Sequence, residues 1–283
     1  MILLRMKIAH LSDPHFSHLE FSWELFKTKR WLGSLNLFLF RKSRYQTSHL
    51  IDLPQFLATL GIDHICLTGD VSSLALKSEF SDAKGFAEKF PCPYSHLPGN
   101  HDMYTKESEE SGLYYDYFVS SDLRRQRVEK RALGKGWWWI GLDCARANSL
   151  LNSNGCFYPE MEKVLDRELQ TIPYSDRVII GNHFPLYPAG RPRHDLERGE
   201  ELLALLQRHP QVKLYLHGHD HTPYIREKRI LALNAGSCAR TKGGSFYLLD
   251  LTEKSCHLKR YAYTPFHKPF HWKVDLEQTL PFS

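Results

Sequence analysis

The sequence lacks any apolar run that approaches the roughly 20 residues needed to cross a bilayer as a helix. Its amino terminus, Met1–Arg5, is too short in apolar residues for a secretory signal peptide and leads directly into a predicted core strand. Internal repeats, low-complexity tracts and linkers are also missing, so no feature divides the chain. We therefore expect one domain over residues 1–283.

The six cysteines do not form a metal-binding motif, because they are scattered without a CxxC spacing. Cys66 and Cys92 lie within apolar, strand-like segments, which favours buried free thiols over a disulfide framework. Unpaired thiols are typical of a reducing compartment, and we expect a cytoplasmic protein.

A strong charge of one sign is missing as well. The chain has 37 Lys and Arg residues against 32 Asp and Glu residues, which leaves a formal charge of +5. This mild excess suits an anionic substrate, but it is too weak and too dispersed to indicate nucleic-acid binding.

The sequence does contain an alternation of apolar runs and segments with helical spacing, which predicts an α/β fold with parallel strands joined by right-handed crossovers. The predicted strands cover residues 6–12, 63–68, 92–97, 127–131, 137–143, 176–180 and 212–216. The predicted helices cover residues 49–60, 78–90, 159–171 and 195–208, with Ser78 as the N-cap of the second. Short strands at 224–228, 230–234, 245–251 and 256–263 are predicted to form a second sheet.

Short polar blocks follow the apolar runs, at the points where predicted strands end. Open α/β sheets place their chemistry beyond the carboxyl ends of the strands, so we expect these blocks to converge. Together they supply enough carboxylate oxygen and imidazole nitrogen to hold two divalent metal ions. The blocks are Asp13-Pro14-His15, Gly69-Asp70, Pro98-Gly99-Asn100-His101-Asp102, Gly181-Asn182-His183 and Gly218-His219-Asp220-His221.

The ordered set D-x-H, G-D, G-N-H-D, G-N-H and G-H-x-H resembles the calcineurin-like metallophosphoesterase superfamily. All five blocks are present in order and span Asp13 to His221. Two departures stand out: Pro14 separates the first two ligands, and the Gly181–His183 block lacks the second histidine that many relatives carry. The resemblance implies an αββα four-layer sandwich of two mixed β-sheets flanked by helices.

The resemblance also implies which residues hold metal. One ion would be bound by Asp13, His15, Asp70 and His221, and the other by Asp70, Asn100, His183 and His219. Asp70 would bridge the two ions, and a water or hydroxide shared by both would attack phosphorus. Mixed oxygen and imidazole ligation suits Mn²⁺, which is the first expectation, with Fe or Zn²⁺ as alternatives.

A further residue, His101, is expected to be catalytic without binding metal. In relatives, the equivalent histidine contacts the phosphoryl group and assists the leaving group. Asp102 is expected to orient His101 or another histidine. Asn100, His101 and Arg193 are the candidate substrate-binding residues, and the alternative for Arg193 is a solvated loop arginine.

An insertion at about residues 16–45 contains an apolar stretch, Trp31–Phe40, flanked on both sides by Lys and Arg. Such a segment suits an interfacial helix at the inner face of a membrane, and the alternative is that it packs over the first strand. Because the insertion follows directly from the loop that carries Asp13 and His15, we expect it to form a cap near the metals.

Motif spacing and size resemble most the bacterial group that includes the class III cyclic-nucleotide phosphodiesterases, which predicts a phosphodiesterase. The alternative within the same chemistry is a lipid-linked pyrophosphate hydrolase of the UDP-diacylglucosamine hydrolase type. A third hypothesis is a binding scaffold that keeps the fold but lacks catalytic activity. The complete set of candidate metal ligands argues against it. The expected partner is a phosphate-ester small molecule or a lipid-linked substrate.

Overall fold

The computed structural model of the protein describes residues 5–18, 30, 47–149, 151–265, 267 and 269–282. These residues form two six-stranded mixed β-sheets with flanking helices. Buried side chains from both sheets belong to one continuous hydrophobic core. The predicted fold class, an α/β sandwich of two mixed sheets, is therefore confirmed.

The strands are β1 Met6–Leu11, β2 His64–Thr68, β3 Tyr94–Leu97, β4 Val128–Gly134, β5 Trp137–Leu142, β6 Arg177–Gly181, β7 Val212–His217, β8 Tyr224–Arg226, β9 Leu231–Asn234, β10 Ser245–Leu251, β11 Ser255–Tyr263 and β12 Trp272–Pro281. The α-helices of the described ranges are α1 Leu53–Ala58, α2 Lys77–Ala87, α3 Lys106–Ser111, α4 Leu113–Tyr117, α5 Ser121–Gln126, α6 Pro159–Gln170 and α7 Gly199–Gln207. The first sheet has the order β12-β11-β10-β1-β2-β3, and the second has the order β4-β5-β6-β7-β9-β8.

Each sheet has a parallel part, as the alternation of strands and helices predicts. Strands β1, β2 and β3 are parallel in the first sheet, and β5, β6, β7 and β9 are parallel in the second. The carboxyl ends of parallel strands meet at one edge of a sheet. Asp13, Asp70 and Asn100 therefore follow neighbouring strands of the first sheet, and His183 and His219 follow neighbouring strands of the second.

The prediction that the carboxyl-terminal strands form a separate sheet is wrong. Strands β8 and β9 extend the second sheet beside β7, whereas β10 pairs antiparallel with β1 and brings β11 into the first sheet. Strand β12 lies outside the predicted strands and pairs with β11 at the edge. Apolar and polar residues alternate from Trp272 to Glu277, a strand pattern that the prediction missed. Partners far apart in sequence are selected by burial against the shared core, which local patterns do not encode.

Three helix starts also differ from the prediction, and the first of these helices begins at Leu53 instead of residue 49. The N-cap of α2 is Leu76, so Ser78 lies inside the first turn and is not the cap. Helix α7 begins later than predicted because Asp195 takes part in a loop instead of the helix. Its carboxylate accepts hydrogen bonds from the backbone N–H groups of Ala189 at 3.1 Å and Arg191 at 2.6 Å.

The tryptophan run of β5 alternates between two faces, as the period of a strand requires. Trp137 and Trp139 are buried in the core, whereas Trp138 is half-buried and its indole donates a hydrogen bond to Asp176. Trp139 packs so closely on Gly181 that a Cβ at that position would overlap its ring. The close approach of Trp139 therefore accounts for the glycine at the start of the Gly181–His183 block.

Most of the insertion lies outside the described residues. Between residues 19 and 46 only Arg30 is described, so the Trp31–Phe40 stretch is among the residues outside. The membrane contact and the cap that this stretch predicts stay predictions. Within the described ranges, no helix is both long and apolar enough to cross a membrane.

Two buried histidines of the first sheet should make the protein sensitive to acid. Burial lowers the pKa of His64 to about 4 and that of His96 to about 3, and the charge of Arg131 adds to both shifts. Below about pH 6.5 the unfolded chain binds protons that the folded state does not accept. The contribution of these rings is therefore complete above pH 6.5 and is lost as the pH falls toward 4, on the order of 3 kcal/mol for each ring.

Urea unfolding of the His64→Gln/His96→Gln double variant between pH 7.5 and 4.5 checks this expectation. The free energy of unfolding should fall less steeply with acid than in the wild type. His257→Gln, a partly exposed histidine of β11, is the control and should keep the wild-type slope. Equal slopes for the double variant and the wild type would contradict the assignment.

Candidate metal centre and active site

Four of the predicted metal ligands form a compact cluster at the edge where the strands end. One potential ligand atom from each of Asp13, His15, Asp70 and His221 lies within 4.8 Å of the others, and the group could hold a metal ion. The Nε2 atom of His221 lies 3.0 Å from Asp13 Oδ1. The Nε2 atom of His15 lies 3.7 Å from both Asp13 Oδ1 and Asp70 Oδ2. Loops after β1, β2 and β7 supply these side chains.

The other predicted ligands lie beside this cluster. His183 Nε2 is 3.3 Å from Asp70 Oδ2, and the rings of His183 and His219 have centroids 5.1 Å apart. The backbone N–H of His219 donates to Asp13 Oδ2 at 3.2 Å, which ties the β7 loop to the β1 loop. Asn100 follows Gly99, and a Cβ on Gly99 would overlap the Asp70 carboxylate. The Pro98–Asp102 block therefore lies directly against Asp70.

Backbone strain is concentrated at this cluster. Asp13, His15, Asp70, His219 and His221 all have positive φ angles, between 46° and 72°. Residues other than glycine adopt this region at an energetic cost, and such strain is characteristic of functional sites. The surrounding hydrogen bonds hold these residues in the conformations that bring their side chains together.

Carbonyl groups select the tautomers of two histidines. His183 Nδ1 lies 2.8 Å from the Thr68 carbonyl, and His219 Nε2 lies 2.9 Å from the His194 carbonyl. A carbonyl only accepts, so each of these nitrogens must carry the proton. In the neutral rings the lone pairs are then at His183 Nε2 and His219 Nδ1. Such hydrogen bonds orient metal-binding histidines in proteins.

The residues of the cluster fit divalent cations. Several of its buried polar atoms, including Asp13 Oδ1, Asn100 Oδ1 and His183 Nε2, have no hydrogen bond of suitable geometry to the described residues. Burial would lower the pKa of His183, but the carboxylates of Asp70 and Asp13 outweigh it and raise the pKa to about 10. This negative field and the mixed oxygen and nitrogen donors suit a divalent metal ion.

His101 lies at the edge of the cluster and forms hydrogen bonds with the loop after β2. Its backbone N–H donates to Asp70 Oδ1 at 2.8 Å. Its Nδ1–H donates to the Ser73 carbonyl at 2.7 Å, so the neutral ring has its lone pair at Nε2. The ring meets that of His15 edge-on, with centroids 4.9 Å apart, and stacks on Tyr104 at 5.8 Å.

Asp102 holds the loops together through the backbone. Its buried carboxylate accepts hydrogen bonds from the N–H groups of Gly99, Val71 and Ser72 and from the Ser72 hydroxyl. Burial raises the pKa of Asp102 to about 7, and the charge of Asp70 adds to the shift. Within the described part of the chain, no hydrogen bond joins Asp102 to an imidazole ring. Any orienting effect on His101 therefore passes through the loops.

The loop after His183 reaches the cluster through residues that the sequence analysis did not select. Arg193 is exposed, and its carbonyl accepts a hydrogen bond from Ser153 N at 2.8 Å. Arg191 instead forms an ion pair with Asp220, and the His194 ring stacks on His219 with centroids 3.8 Å apart. Asp220 lies between His219 and His221, the two predicted ligands of the last block. This position in the sequence could have indicated that Asp220 contacts the site.

Comparison with known proteins agrees with this architecture. The family model described as calcineurin-like phosphoesterase matches residues 6–223. A dimetal phosphatase from Danio rerio aligns with a TM-score of 0.72, covering 98% of this chain and 99% of that chain at 14% identity. A purple acid phosphatase from yellow lupin seeds aligns with a TM-score of 0.62, covering 98% of this chain and 54% of that chain at 14% identity. At this identity, the two structures show a shared fold.

Two curated relatives are similar in sequence. A 3′,5′-cyclic-nucleotide phosphodiesterase of Nostoc sp. is 27% identical over 175 residues, which is 59% of this chain and 59% of that protein. A probable cyclic nucleotide phosphodiesterase of Synechococcus sp. is 26% identical over 167 residues, which is 58% of this chain and 60% of that protein. The chain thus matches about three fifths of the length of each relative. Since the family model covers most of the chain and includes every predicted ligand, the chain belongs to the calcineurin-like phosphoesterases, a family of metal-dependent enzymes.

Proposed function

We propose that the protein is a phosphodiesterase that depends on two divalent metal ions. The position of Asp70 carries this proposal, because its Oδ2 atom is 3.7 Å from His15 Nε2 and 3.3 Å from His183 Nε2. One carboxylate therefore borders both groups of candidate ligands. A shared carboxylate suits a two-metal site, in which the ions are roughly 3.5–4 Å apart.

This arrangement supports the two ligand sets that the family resemblance implies. Asp13, His15, Asp70 and His221 would hold one ion, and Asp70, Asn100, His183 and His219 would hold the other. When bound, such ions supply Lewis-acid activation of water and neutralise charge on the phosphoryl oxygens. Mn²⁺ remains our first choice, with Fe or Zn²⁺ as alternatives.

The chain's own residues supply proton transfer and substrate contact. When protonated on both nitrogens, His101 can donate a proton from Nε2 to the leaving oxygen while Nδ1–H remains bonded to the Ser73 carbonyl. Asn100, the residue before His101, stays a second candidate for contact with the substrate. Arg193, exposed in the loop after His183, stays our candidate for contact with an anionic group of the substrate.

The names of the two curated relatives support a diester as the substrate class. A metal-reconstituted activity screen tests the proposal. It should compare bis-p-nitrophenyl phosphate, p-nitrophenyl phosphate, cyclic nucleotides and UDP-linked lipids. We expect turnover of diesters above that of the monoester. Preference for the monoester would overturn the diesterase assignment, and turnover confined to UDP-linked lipids would favour the lipid-linked alternative. No turnover with any metal would favour an inactive scaffold.

Metal removal provides a second test. Dialysis against EDTA should abolish diester hydrolysis, and Mn²⁺ should restore it. Elemental analysis of protein saturated with Mn²⁺ should find about two ions per chain, because the proposed centre has two ligand sets. A single ion at saturation, with activity fully restored, would contradict the dinuclear proposal.

A further inference from the structure

The buried carboxylate of Glu79 lies outside the proposed metal and substrate contacts. Glu79 is in the first turn of α2, and its side chain is fully buried. Its Oε2 atom accepts hydrogen bonds from the backbone N–H groups of Leu74 at 2.8 Å and of Ser73 and Leu76 at 3.2 Å. Its Oε1 atom accepts from His18 N at 3.4 Å. Moving a carboxylate out of water costs free energy, so its burial at this position requires an explanation.

The segment that Glu79 binds, residues 71–76, is the loop that leads from Asp70 to α2. It is mostly irregular, and Ala75 has a φ of 55°, a region that alanine rarely adopts. The guanidinium of Arg30 donates to the carbonyls of Leu74 and Ala75, each at 3.1 Å. Hydrogen bonds therefore hold the loop on both sides. Three of its N–H groups donate to Glu79, and two of its carbonyls accept from Arg30.

Ser73 connects this loop to His101. Its N–H donates to Glu79, and its carbonyl accepts the Nδ1–H of His101 at 2.7 Å. Its hydroxyl also donates to the His15 carbonyl at 3.2 Å. The Leu74 N–H that donates to Glu79 belongs to the same peptide group as the Ser73 carbonyl, so the carboxylate directly holds the acceptor that selects the His101 tautomer.

We propose that Glu79 is a positioning residue for His101, acting through the backbone of Ser73. The proposal rests on the proposed function, because His101 is the proton donor of that reaction. Glu79 fixes the orientation of the Ser73 carbonyl, and this carbonyl keeps the proton on His101 Nδ1. Asp102 holds the start of the same loop at Val71 and Ser72, and Glu79 holds its end.

Burial raises the pKa of Glu79 to about 7, and above that pH its carboxylate only accepts hydrogen bonds, which suits this task better than its neutral isostere. Three N–H groups converge on Oε2, and a glutamine would direct one amide oxygen and one NH₂ group at these four donors. At least one backbone donor would lose its partner, and the loop would shift. A displacement of about 1 Å at a catalytic group can reduce the rate by about 10²-fold.

Kinetics of Glu79→Gln test the proposal. With bis-p-nitrophenyl phosphate, we expect kcat to fall about 10- to 100-fold, with KM and bound metal unchanged. The matched control is Glu88→Gln, at the exposed end of the same helix, and it should keep the wild-type kcat. In a His101→Ala background, Glu79→Gln should change kcat by less than about twofold, because its effect requires the imidazole.

A spectroscopic measurement separates this inference from the proposed function. In protein loaded with diamagnetic Zn²⁺, ¹⁵N NMR should show His101 with the proton on Nδ1 in the wild type and Glu88→Gln. In Glu79→Gln, the His101 signals should shift toward a mixture of tautomers. The tautomer can be measured even if the screen finds no diester turnover. Absence of turnover would overturn only the proposed function, and an unchanged tautomer would overturn only the role of Glu79.

Glu79→Asp is the second variant, to be used if Glu79→Gln does not fold. It keeps the charge but shortens the side chain by one methylene, so a smaller loss of kcat and a partial tautomer shift are expected. An unchanged His101 spectrum in a folded Glu79 variant would overturn the proposal. A rate loss that persists in the His101→Ala background, or that follows loss of metal, would overturn it as well.

Discussion

Replacing Asp70 with asparagine is expected to lower kcat by on the order of 10³-fold and to weaken both proposed metal sites. The carboxylate of Asp70 lies 3.3 Å from His183 Nε2 and 3.7 Å from His15 Nε2. Burial would raise the pKa of Asp70, but the neighbouring His183, His101 and His15 hold it well below its usual range. The group is therefore an anion at neutral pH, and the substitution removes the charge that two adjacent cations require.

Elemental analysis and diester kinetics over a Mn²⁺ titration measure both effects. The bound metal at a fixed Mn²⁺ concentration should fall from about two ions per chain, and added Mn²⁺ should restore little activity. Asp122→Asn, a partly exposed carboxylate of α5, is the matched control and should behave as the wild type. An Asp70→Asn protein that keeps two ions and most of its activity would show that Asp70 is not the shared ligand.

Replacing His101 with alanine is expected to lower kcat by roughly 10²- to 10⁴-fold while both metals stay bound, the usual range for loss of a general acid–base group. The ring is held by the Ser73 carbonyl, and its backbone, which the substitution keeps, donates to Asp70. The Asp70 carboxylate should therefore stay in place without the imidazole.

The loss should depend on the leaving group. Diesters with a poor alkoxide leaving group need a proton donor more than those that release p-nitrophenolate, so their turnover should fall further in His101→Ala. His257→Ala on β11 serves as the control and should leave both rates unchanged. If His101→Ala loses metal while binding substrate normally, His101 is a ligand and its assignment as proton donor is wrong.

The sequence by itself determined which strand ends carry the candidate metal ligands. Each predicted ligand follows an apolar run at a strand end, and parallel strands bring their carboxyl ends to one edge. Asp13 and His221 are far apart in the chain, yet their side chains lie 3.0 Å apart. Because Asp13 follows a strand of the first sheet and His221 follows a strand of the second, local patterns predict convergence within each sheet, and the family resemblance predicts that the two edges meet.

The tertiary structure alone decided how the strands divide between the sheets and which groups hold the site residues in place. β10 pairs with β1 because both bury the same core face, a choice that depends on contacts across most of the chain. Glu79 looks in sequence like any surface glutamate of an amphipathic helix. Its role depends on three N–H groups of an irregular loop, and no residue pattern encodes where those groups point. Arg191, and not Arg193, meets Asp220 for the same reason, since loop conformation sets which side chain turns inward.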